Sequence, residues 1–480
     1  MAFGFVPVER WGATASGPAG GMGDPITLTW SIVPDGTLIQ GEGASNLVAF
    51  FDGLFGAGVT GANDFTHRPW FSLLAEPFDR WSQLSGMTFV YEPHDDGLIH
   101  GSAVGALGVR GDIRLGGAPL DGPGGTLAYI YYPSNSDLAI DTADAGFFGN
   151  ATLDYRPFRN TLMHELGHGF GLAHIVSNTD AFLMEPAINI SFDGPQLDDI
   201  RGIQAYYGDA LEKSSGGLGN DTSATATSLG VLKSGATVSV GLDAAPDTIV
   251  DAHDADFVSI ANHLDSDFFA FEVQEPVGLN ALLTPRGGVF NQAIQGGTQS
   301  QVDANAANDL MMTVLGADGA TVLASANNAP ASEAETISGA YLPSAGRYFV
   351  HIAGSSPEVQ LYQLDLSLVA AATLLPGDYN RDGHVDAADY VVWRKSLADG
   401  ALGLVADGNH DLVVDHADYD VWKRNLGGIA ARTTAVHPVS VPEPRAAALA
   451  IIAGLSVVVT LRTKKRWQSL GGARQIEEEQ

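Results

Sequence analysis

The sequence predicts a multidomain chain: an α+β domain, then an all-β sandwich, a small α-helical repeat pair and a C-terminal transmembrane helix. Its 480 residues are too many for one ordinary domain, and a hydrophobic fraction of 45% is sufficient for several cores. The hydrophobic periodicity changes from mixed to alternating after residue 208, and an internal repeat begins near residue 374. These changes divide the chain into segments of different fold class.

The first segment, residues 1–208, mixes strand and helix patterns. PITLTWSIV at 25–33 alternates apolar and polar residues as a β-strand does, and WFSLLAEPFDRWSQLSG at 70–86 has its apolar residues at helical spacing. We expect helix throughout FDRWSQLSGMTFVYE, at 78–92, and a closing helix at 198–208. The combination predicts an α+β domain.

The second segment, residues 222–370, follows a linker at 209–221 that is polar and rich in glycine and serine. It consists of short alternating runs separated by turns, and this spacing predicts a β-sandwich. Three of its runs, DSDFFAF from Asp265, LGADGATVLAS and LPSAGRYFVHIAG, resemble the bacterial pre-peptidase C-terminal domain. A generic sandwich spacer explains the same pattern, and the segment shows no catalytic constellation.

The overall charge restricts the classes of partner. With 24 Lys and Arg against 56 Asp and Glu, the net charge is −32 and the sequence pI is near 4.5. Such acidity argues against binding nucleic acid or an anionic membrane through most of the chain. The chain has no cysteine, and therefore neither a disulfide nor a thiolate ligand. Calcium held by clustered aspartates can stabilise exported domains instead, although a general scarcity of cysteine explains the composition equally well.

The run HELGHGFGLAH, residues 164–174, carries the strongest chemical signal. A helix brings residues four apart to one face, so His164 and His168 can bind one ion. Gly171 permits the backbone to turn back with a positive φ, and His174 can then approach the same ion from the other side. Three neutral imidazoles leave the fourth position of a zinc ion to water, which is the geometry of a catalytic site.

Glu165 is the predicted general base of this site. Zinc lowers the pKa of its water to about 7, and Glu165 can accept the proton as the water attacks a peptide carbonyl. HELGH alone also fits a buried helical face, whereas the following Gly171 and His174 favour the metal site. Met184, ten residues after His174, can form an apolar floor beneath the ligands or be an ordinary core residue.

The pattern HExxHxxGxxH followed by Met184 resembles the metzincins, and its Gly-Leu-Ala-His ending resembles the matrixin zinc endopeptidases. The resemblance implies a twisted sheet with three helices, a cleft above one catalytic zinc and a Met-turn at Met184. A second, structural zinc is not expected, because Tyr129 and Ile140 stand where two matrixin histidines would fall. The resemblance also implies calcium in the protease domain, for which an acidic solvated turn is the alternative. The candidate calcium ligands are Asp121, Asp141 and Asp144.

Residues 374–428 contain a repeated calcium-loop pattern. Oxygen-bearing side chains recur at loop positions 1, 3, 5, 9 and 12, and position 7 offers a backbone carbonyl. Gly383 supplies the sharp turn in the first loop, whereas Leu412 replaces it and weakens the second site. Asp at position 12 makes the pair similar to dockerin repeats, which implies a cohesin-like partner; a calcium-rigidified spacer is the alternative. The predicted ligands are Asp378, Asn380, Asp382, His384, Asp386 and Asp389 in the first loop and Asp407, Asn409, Asp411, Val413, Asp415 and Asp418 in the second.

The C-terminal segment, residues 441–467, follows a polar linker at 429–440. It has Val-Pro-Glu-Pro, then an uncharged apolar run at 446–461, then a basic cluster. This order predicts a transmembrane helix and resembles the PEP-CTERM sorting signal, which implies export and processing by sorting machinery. A buried core helix is the alternative. The N-terminus has no signal-peptide pattern, so we expect the natural start to lie upstream of Met1.

Together these patterns predict a zinc-dependent endopeptidase of the cell envelope or exterior, acting on a protein or peptide. The expected ions are one zinc, two calcium ions in the repeat pair and a further calcium in the protease domain. The alternative is a calcium-dependent adhesion or scaffold protein whose protease domain is catalytically silent. Retention of Glu165 favours the enzyme, because a pure binding protein needs no carboxylate there. We expect no nucleic-acid partner and membrane contact only through 446–461.

Overall fold

The chain divides into two compact units, Met1–Ala431 and Arg432–Gln480, and everything described below belongs to the first. The predicted sorting segment, 441–467, and Asp411 of the second calcium loop lie outside the described residues. The structure is a computed structural model that describes residues 9–58, 64–179, 181–245, 249–370, 375–399, 405–409 and 413–429.

The N-terminal region has the predicted α+β character. Its elements are β1 (Ala13–Thr14), β2 (Gly17–Pro18), β3 (Ile26–Ile32), β4 (Leu38–Ile39), β5 (Gly43–Ala44), α1 (Leu47–Phe55), α2 (Phe71–Leu84), β6 (Met87–Tyr91), β7 (Ile113–Ala118), β8 (Ala128–Ile130), β9 (Leu138–Asp141), α3 (Ala145–Phe148), α4 (Arg156–Gly169), β10 (Ile175–Ser177), α5 (Leu197–Tyr207) and α6 (Ser214–Gly217).

A five-stranded sheet forms the centre of this region, in the order β6-β3-β7-β9-β8. Strands β6, β3, β7 and β9 are parallel, and β8 pairs antiparallel with β9 at the edge. Helices α2 and α4 pack against each other, and the core between helices and sheet includes Trp30, Phe78, Trp81 and Leu166. Burial of these large apolar side chains fixes α4 beside the sheet, each contributing roughly 2 kcal/mol.

Two sequence predictions in this region are confirmed and one is wrong. Strand β3 and helix α5 occupy the predicted runs 25–33 and 198–208. The run 78–92 is not one helix, because α2 ends at Leu84 and the next residues form β6 beside β3. Met-Thr-Phe-Val-Tyr favours strand, and Gly86 permits a close approach: a Cβ there would lie 1.9 Å from the Tyr207 carbonyl oxygen.

The second region is all β and builds two facing sheets, in the orders β11-β14-β21-β18-β19 and β12-β22-β15-β20, with β13 beside β22. Their inner faces bury an alternating apolar core that includes Phe271, Val350 and Leu364. The strands are β11 (Thr227–Val231), β12 (Thr237–Val240), β13 (Val258–Ile260), β14 (Ser266–Val273), β15 (Val277–Arg286), β16 (Val289–Ile294), β17 (Ser300–Asp303), β18 (Leu310–Leu315), β19 (Val322–Ala326), β20 (Glu335–Leu342), β21 (Gly346–Gly354) and β22 (Gln360–Ala370).

The two regions contact each other directly. The segment 209–221 is anchored near both ends: Asp209 and Asn220 are fully buried, and the Asp209 carboxylate accepts a hydrogen bond from the Ser259 amide, 2.9 Å away. Strands β16 and β17 leave the sandwich and join β10 in a three-stranded sheet, in the order β10-β16-β17. The domain boundaries deduced from composition stay predictions.

The C-terminal part of the described chain contains α7 (Ala387–Asp399) and α8 (His416–Asn425), which pack together. Aromatic side chains join them, with the Tyr390 and Trp422 rings 5.4 Å apart and the Trp393 and Tyr419 rings 5.1 Å apart. Within the residues described, no helix has the length and apolarity needed to cross a bilayer, and the predicted helix 446–461 is not among them.

Candidate active site

Helix α4 carries the first half of the site. Pro157 lies in its first turn, where a missing backbone N–H leaves no hydrogen bond unmade. His164 and His168 are one helical turn apart, and both side chains are buried. The sequence prediction that they share one face of a helix is confirmed.

A glycine turn then brings the third histidine back. Gly171 has a φ of 110°, which residues with a side chain rarely adopt. A Cβ at this position would also lie 2.2 Å from the Glu9 carbonyl oxygen, so both the conformation and the space require glycine. The chain reverses, the Leu172 amide donates to the Gly167 carbonyl at 2.9 Å, and His174 returns to face the helix.

The three imidazoles converge on one point. The Nε2 atoms of His164 and His174 are 3.1 Å apart, and one nitrogen from each of the three rings lies within 4.8 Å of the others. The ring centroids are separated by 4.5 to 5.1 Å. Spacings of this size suit three nitrogens around a single ion with metal–nitrogen distances of about 2 Å.

In each of the three rings Nδ1 faces an oxygen acceptor, which leaves Nε2 available to a metal. The Nδ1 of His164 lies 2.6 Å from the Leu183 carbonyl oxygen, and that of His168 lies 2.7 Å from the Leu172 carbonyl oxygen. The Nδ1 of His174 lies 2.9 Å from Oε1 of Gln295. Carbonyl oxygens only accept, so each Nδ1 carries the proton and each Nε2 keeps its lone pair for a metal.

Burial keeps the two helical histidines neutral. Desolvation, with the neighbouring imidazoles, lowers the pKa of His164 to about 3 and that of His168 to about 4. A neutral imidazole is the form that binds metal, so protons do not compete for these two ligands near pH 7. The donor set and its protonation therefore fit zinc.

Glu165 follows the first ligand on α4 and is partly exposed, at the boundary between the core and the site. Burial raises the pKa of Glu165 to about 8, and a divalent cation nearby would lower it again. Burial, and to a lesser extent the charge of Glu165, raises the pKa of Tyr132. The Tyr132 ring lies 5.8 Å from that of His168, so a phenol and a carboxylate border the imidazole cluster together.

Met184 packs against helix α4 at Gly167, the residue before His168. It is 2% exposed, and a Cβ added at Gly167 would lie 2.5 Å from its sulfur. The backbone around it is held by the buried Asp199 carboxylate, which accepts from the amides of Leu183 at 2.7 Å and Met184 at 3.1 Å. The carbonyl of the same Leu183 orients His164, so Asp199 supports the site indirectly, through the Leu183 backbone.

This region combines a mixed sheet, a helix packed beside it and three imidazoles gathered by a glycine turn. Residues 60–208 match the matrixin family model, so the chain contains a matrixin domain.

The most similar relatives include two groups of proteases. Human matrix metalloproteinase-16 is 33% identical over 143 residues, which cover 27% of this chain and 22% of that protein. Bovine interstitial collagenase is 38% identical over 142 residues, which cover 28% of this chain and 27% of that protein. The chain thus spans about a quarter of the length of the curated relatives that it matches.

Among solved structures, a crystal structure of the pre-peptidase C-terminal domain of a Bacillus anthracis collagenase covers 30% of this chain, and the chain covers 94% of it. The identity is 10% and the TM-score 0.17. The Aeromonas hydrophila periplasmic lysozyme inhibitor PliG covers 30% of the chain with 12% identity and the same TM-score.

The predicted calcium ligands of the matrixin domain lie near one loop. The Asp121 carboxylate is exposed and accepts from the Thr126 amide, whereas Asp141 and Asp144 are buried. Asp144 accepts from the Gly124 amide at 2.8 Å, and its other oxygen, like Oδ2 of Asp141, is buried without a hydrogen-bond partner. Two clusters of metal-ligating side chains occur among the described residues, and neither contains these three.

The two repeat loops have matching geometry. Asp389 accepts from the amides of Asn380 at 2.9 Å and Asp386 at 2.7 Å. At the equivalent position Asp418 accepts from the amides of Asn409 at 3.2 Å and Asp415 at 2.7 Å. In the first loop Asp378 accepts from the amides of Asp382 and Gly383, and the Asp382 carboxylate accepts from the amide of His384. Asp407 and Val413 belong to the second loop.

Sequence reasoning missed the second cluster, which consists of Glu212, Asp221 and Asp265 and is called the acidic cluster below. It borders a cavity of about 460 Å³ between the matrixin domain and the sandwich. Burial raises the pKa values of Glu212 and Asp265. These residues come from two regions of the sequence with no motif linking them, and Gln295 beside His174 was missed for the same reason.

Proposed function

We propose that this protein is a zinc-dependent endopeptidase with His164, His168 and His174 as zinc ligands. The observation that carries the proposal is the orientation of the three rings: each Nδ1 faces an oxygen acceptor, and the other nitrogens converge within 4.8 Å. Such an arrangement directs three imidazole lone pairs to one point, which suits a metal ion. The matrixin match over 60–208 supports the same assignment.

Glu165 is the proposed general base. Zinc held by the imidazoles would polarise the scissile carbonyl and acidify a water molecule. Glu165 accepts the proton of that water and passes it to the leaving amine, because it is the carboxylate beside the first ligand on the rim of the site. Tyr132 is the proposed hydrogen-bond donor to the reacting carbonyl, because its ring lies 5.8 Å from that of His168.

The proposed substrate is an extended peptide. Strand β8 is the edge of its sheet and packs against α4, the helix that carries His164 and His168. An edge strand offers unpaired N–H and C=O groups to a further strand, which holds a peptide without fixing its sequence. This arrangement suits a protein or peptide substrate of broad sequence.

The test compares the full chain with Glu165→Gln, measuring bound zinc and casein cleavage. We expect wild type to bind one zinc and cleave, and the variant to bind zinc while losing at least about a hundredfold in rate. Glu275→Gln, an exposed sandwich residue, is the matched control and should cleave like wild type. Wild type that binds zinc without cleaving would support the silent scaffold instead, and absence of zinc would contradict both.

We further propose that the repeat loops bind two calcium ions, as a rigid spacer or a cohesin-docking module. The equivalent positions of Asp389 and Asp418, and the reciprocal bonds from the Trp393 indole to the Asp415 carbonyl and from the Trp422 indole to the Asp386 carbonyl, support a two-fold calcium pair. Calcium titration should lose one ion with Asp389→Asn and one with Asp418→Asn, but none with exposed Asp420→Asn. A further ion would support the site at Asp121, Asp141 and Asp144.

The proposed location is the cell envelope or the exterior. The support is the tripartite pattern at 441–467 and the acidic, cysteine-free composition. Fractionation of cells producing the full chain, or a chain ending at residue 440, should find only the first with the membrane. Recovery of a cohesin-like protein from the same cells in a calcium-dependent manner would favour docking over the spacer.

A further inference from the structure

One hairpin that follows the sandwich strand β15, formed by β16 and β17, contacts the candidate active site. Strands β16 and β17 pair with each other, and β16 continues the pairing onto β10, directly after the third histidine. Ile175 lies opposite Ile294 and Ser177 opposite Gln292. The segment that carries His174 is thus one strand of a sheet whose other two strands come from the second domain.

The hairpin is firmly docked rather than merely adjacent. The Phe290 ring packs edge to face on Phe182 with centroids 5.1 Å apart, two residues before Met184. Asn178 and Asn291 exchange two bonds, since the Asn178 amide donates to the Asn291 carbonyl and the Asn291 amide to the Asn178 side chain, both at 3.0 Å. Backbone pairing, an aromatic contact and this reciprocal pair together fix the position of the hairpin turn.

Gln295 stands at the start of that turn, with its Oε1 2.9 Å from Nδ1 of His174. The other two ligands have their Nδ1 atoms held by backbone carbonyls of the matrixin region, at Leu183 and Leu172. The third ligand differs, because its partner is a side chain 121 residues later in sequence. Without an acceptor at Nδ1 the imidazole can rotate, and it can place its proton on Nε2, where it blocks metal binding.

We infer that the sandwich completes the metal site, with Gln295 acting as a positioning residue that orients His174 toward zinc. The inference rests on the proposed zinc function and adds to it a requirement outside the matched region 60–208. Metal affinity in this chain then depends on a hairpin of the second domain. The β-sandwich is a functional part of the enzyme and not only a spacer.

The experiment measures zinc affinity of the full chain by competition with a chromophoric chelator, for wild type, Gln295→Ala and Gln295→Glu. We expect Gln295→Ala to weaken the zinc Kd roughly 10-fold or more, the size typical for loss of an outer partner of a metal-bound histidine. Gln295→Glu keeps an oxygen acceptor and should retain at least wild-type affinity. Gln301→Ala changes an exposed glutamine on β17 of the same hairpin and should match wild type.

Steady-state cleavage at saturating zinc separates positioning from substrate contact. A positioning role predicts a lower kcat for Gln295→Ala with KM nearly unchanged, whereas a higher KM with an unchanged zinc Kd would overturn the inference. Equal zinc affinity of wild type and Gln295→Ala would also overturn it, while leaving an active wild-type enzyme and the proposed function intact. A wild type that binds no zinc would refute the proposed function, and the inference with it.

Discussion

The histidine site and the acidic cluster bury ionisable groups in opposite ways. Each of the three imidazoles has an oxygen acceptor at Nδ1, and burial keeps His164 and His168 neutral. In the acidic cluster, carboxylates approach one another, and Glu212 keeps one oxygen buried without a hydrogen-bond partner. Close by, Asp267 is fully buried and also has an oxygen without a partner.

The difference shows that preorganisation requires complete hydrogen bonding around the ligands. In the histidine site an oxygen of the protein faces Nδ1 of every ring, so the protein itself holds the three imidazoles. The acidic cluster is supported less completely: Asp265 accepts from the Ala261 amide at 2.6 Å, whereas one Glu212 oxygen has no partner. Burial raises the pKa values of Glu212 and Asp265 because their charged forms are poorly solvated there. We therefore expect the histidine site to be sensitive to substitutions in the backbone and side chains that hold it. We expect the contribution of the acidic cluster to stability to depend on pH.

The substitution with the largest expected effect on stability is Gly171→Ala, in the turn that brings His174 back to the site. The positive φ and the approach to the Glu9 carbonyl are both incompatible with a Cβ, so we expect a loss of roughly 3 kcal/mol or more in unfolding free energy. Urea denaturation measures it. Gly36→Ala is the matched control, because Gly36 has a φ of 93° with nothing within 4 Å of a Cβ and should cost only about 1 kcal/mol. Equal losses would mean that the close approach is unimportant.

We expect a smaller loss of stability for Asp199→Asn, which changes a residue that holds the backbone behind His164. Its carboxylate accepts from three backbone amides, those of Leu183, Met184 and Gln196, and an amide side chain must turn its own N–H groups toward one of them. We expect the variant to lose about 2 kcal/mol in unfolding free energy and to bind zinc less tightly. Exposed Asp154→Asn removes the same charge and should change stability by less than about 0.5 kcal/mol. A destabilised variant with wild-type zinc affinity would separate Asp199 from the site.

The histidine site could be predicted because its ligands lie close together in the sequence. Helical spacing unites His164 and His168, and a glycine seven residues after the first ligand reverses the chain to bring in His174. The positive φ of one glycine and the spacing of one helical turn are local properties of the chain, which a single sequence reveals.

The remaining parts depend on tertiary contacts. Gln295 acts on His174 only because β16 pairs with β10, and nothing in the hairpin sequence specifies that partner strand. Glu212 meets Asp265 only when the supposed linker folds against the sandwich. The error at 78–92 has the same origin, since a continuous apolar pattern hid a break at Gly86 that is set by the close approach of the Tyr207 carbonyl.

The smallest expected effect tests the acidic cluster through the pH dependence of stability. Burial raises the folded-state pKa of Glu212, and it raises that of Asp265 to about 7, whereas the unfolded values lie near 4. Groups with raised folded pKa values favour the folded state at low pH, so the contribution of Asp265 is lost as pH rises from about 4 through about 7, and that of Glu212 is lost progressively from about 4 up to about 11. With a chelator present to remove divalent cations, Glu212→Gln should be more stable than wild type by on the order of 1 kcal/mol at pH 8, with little difference at pH 4.5.

Urea denaturation at both pH values measures this difference in unfolding free energy, with exposed Glu275→Gln as control. A variant destabilised equally at both pH values would show that the Glu212 carboxyl is held by hydrogen bonds, and the contrast with the histidine site would fail.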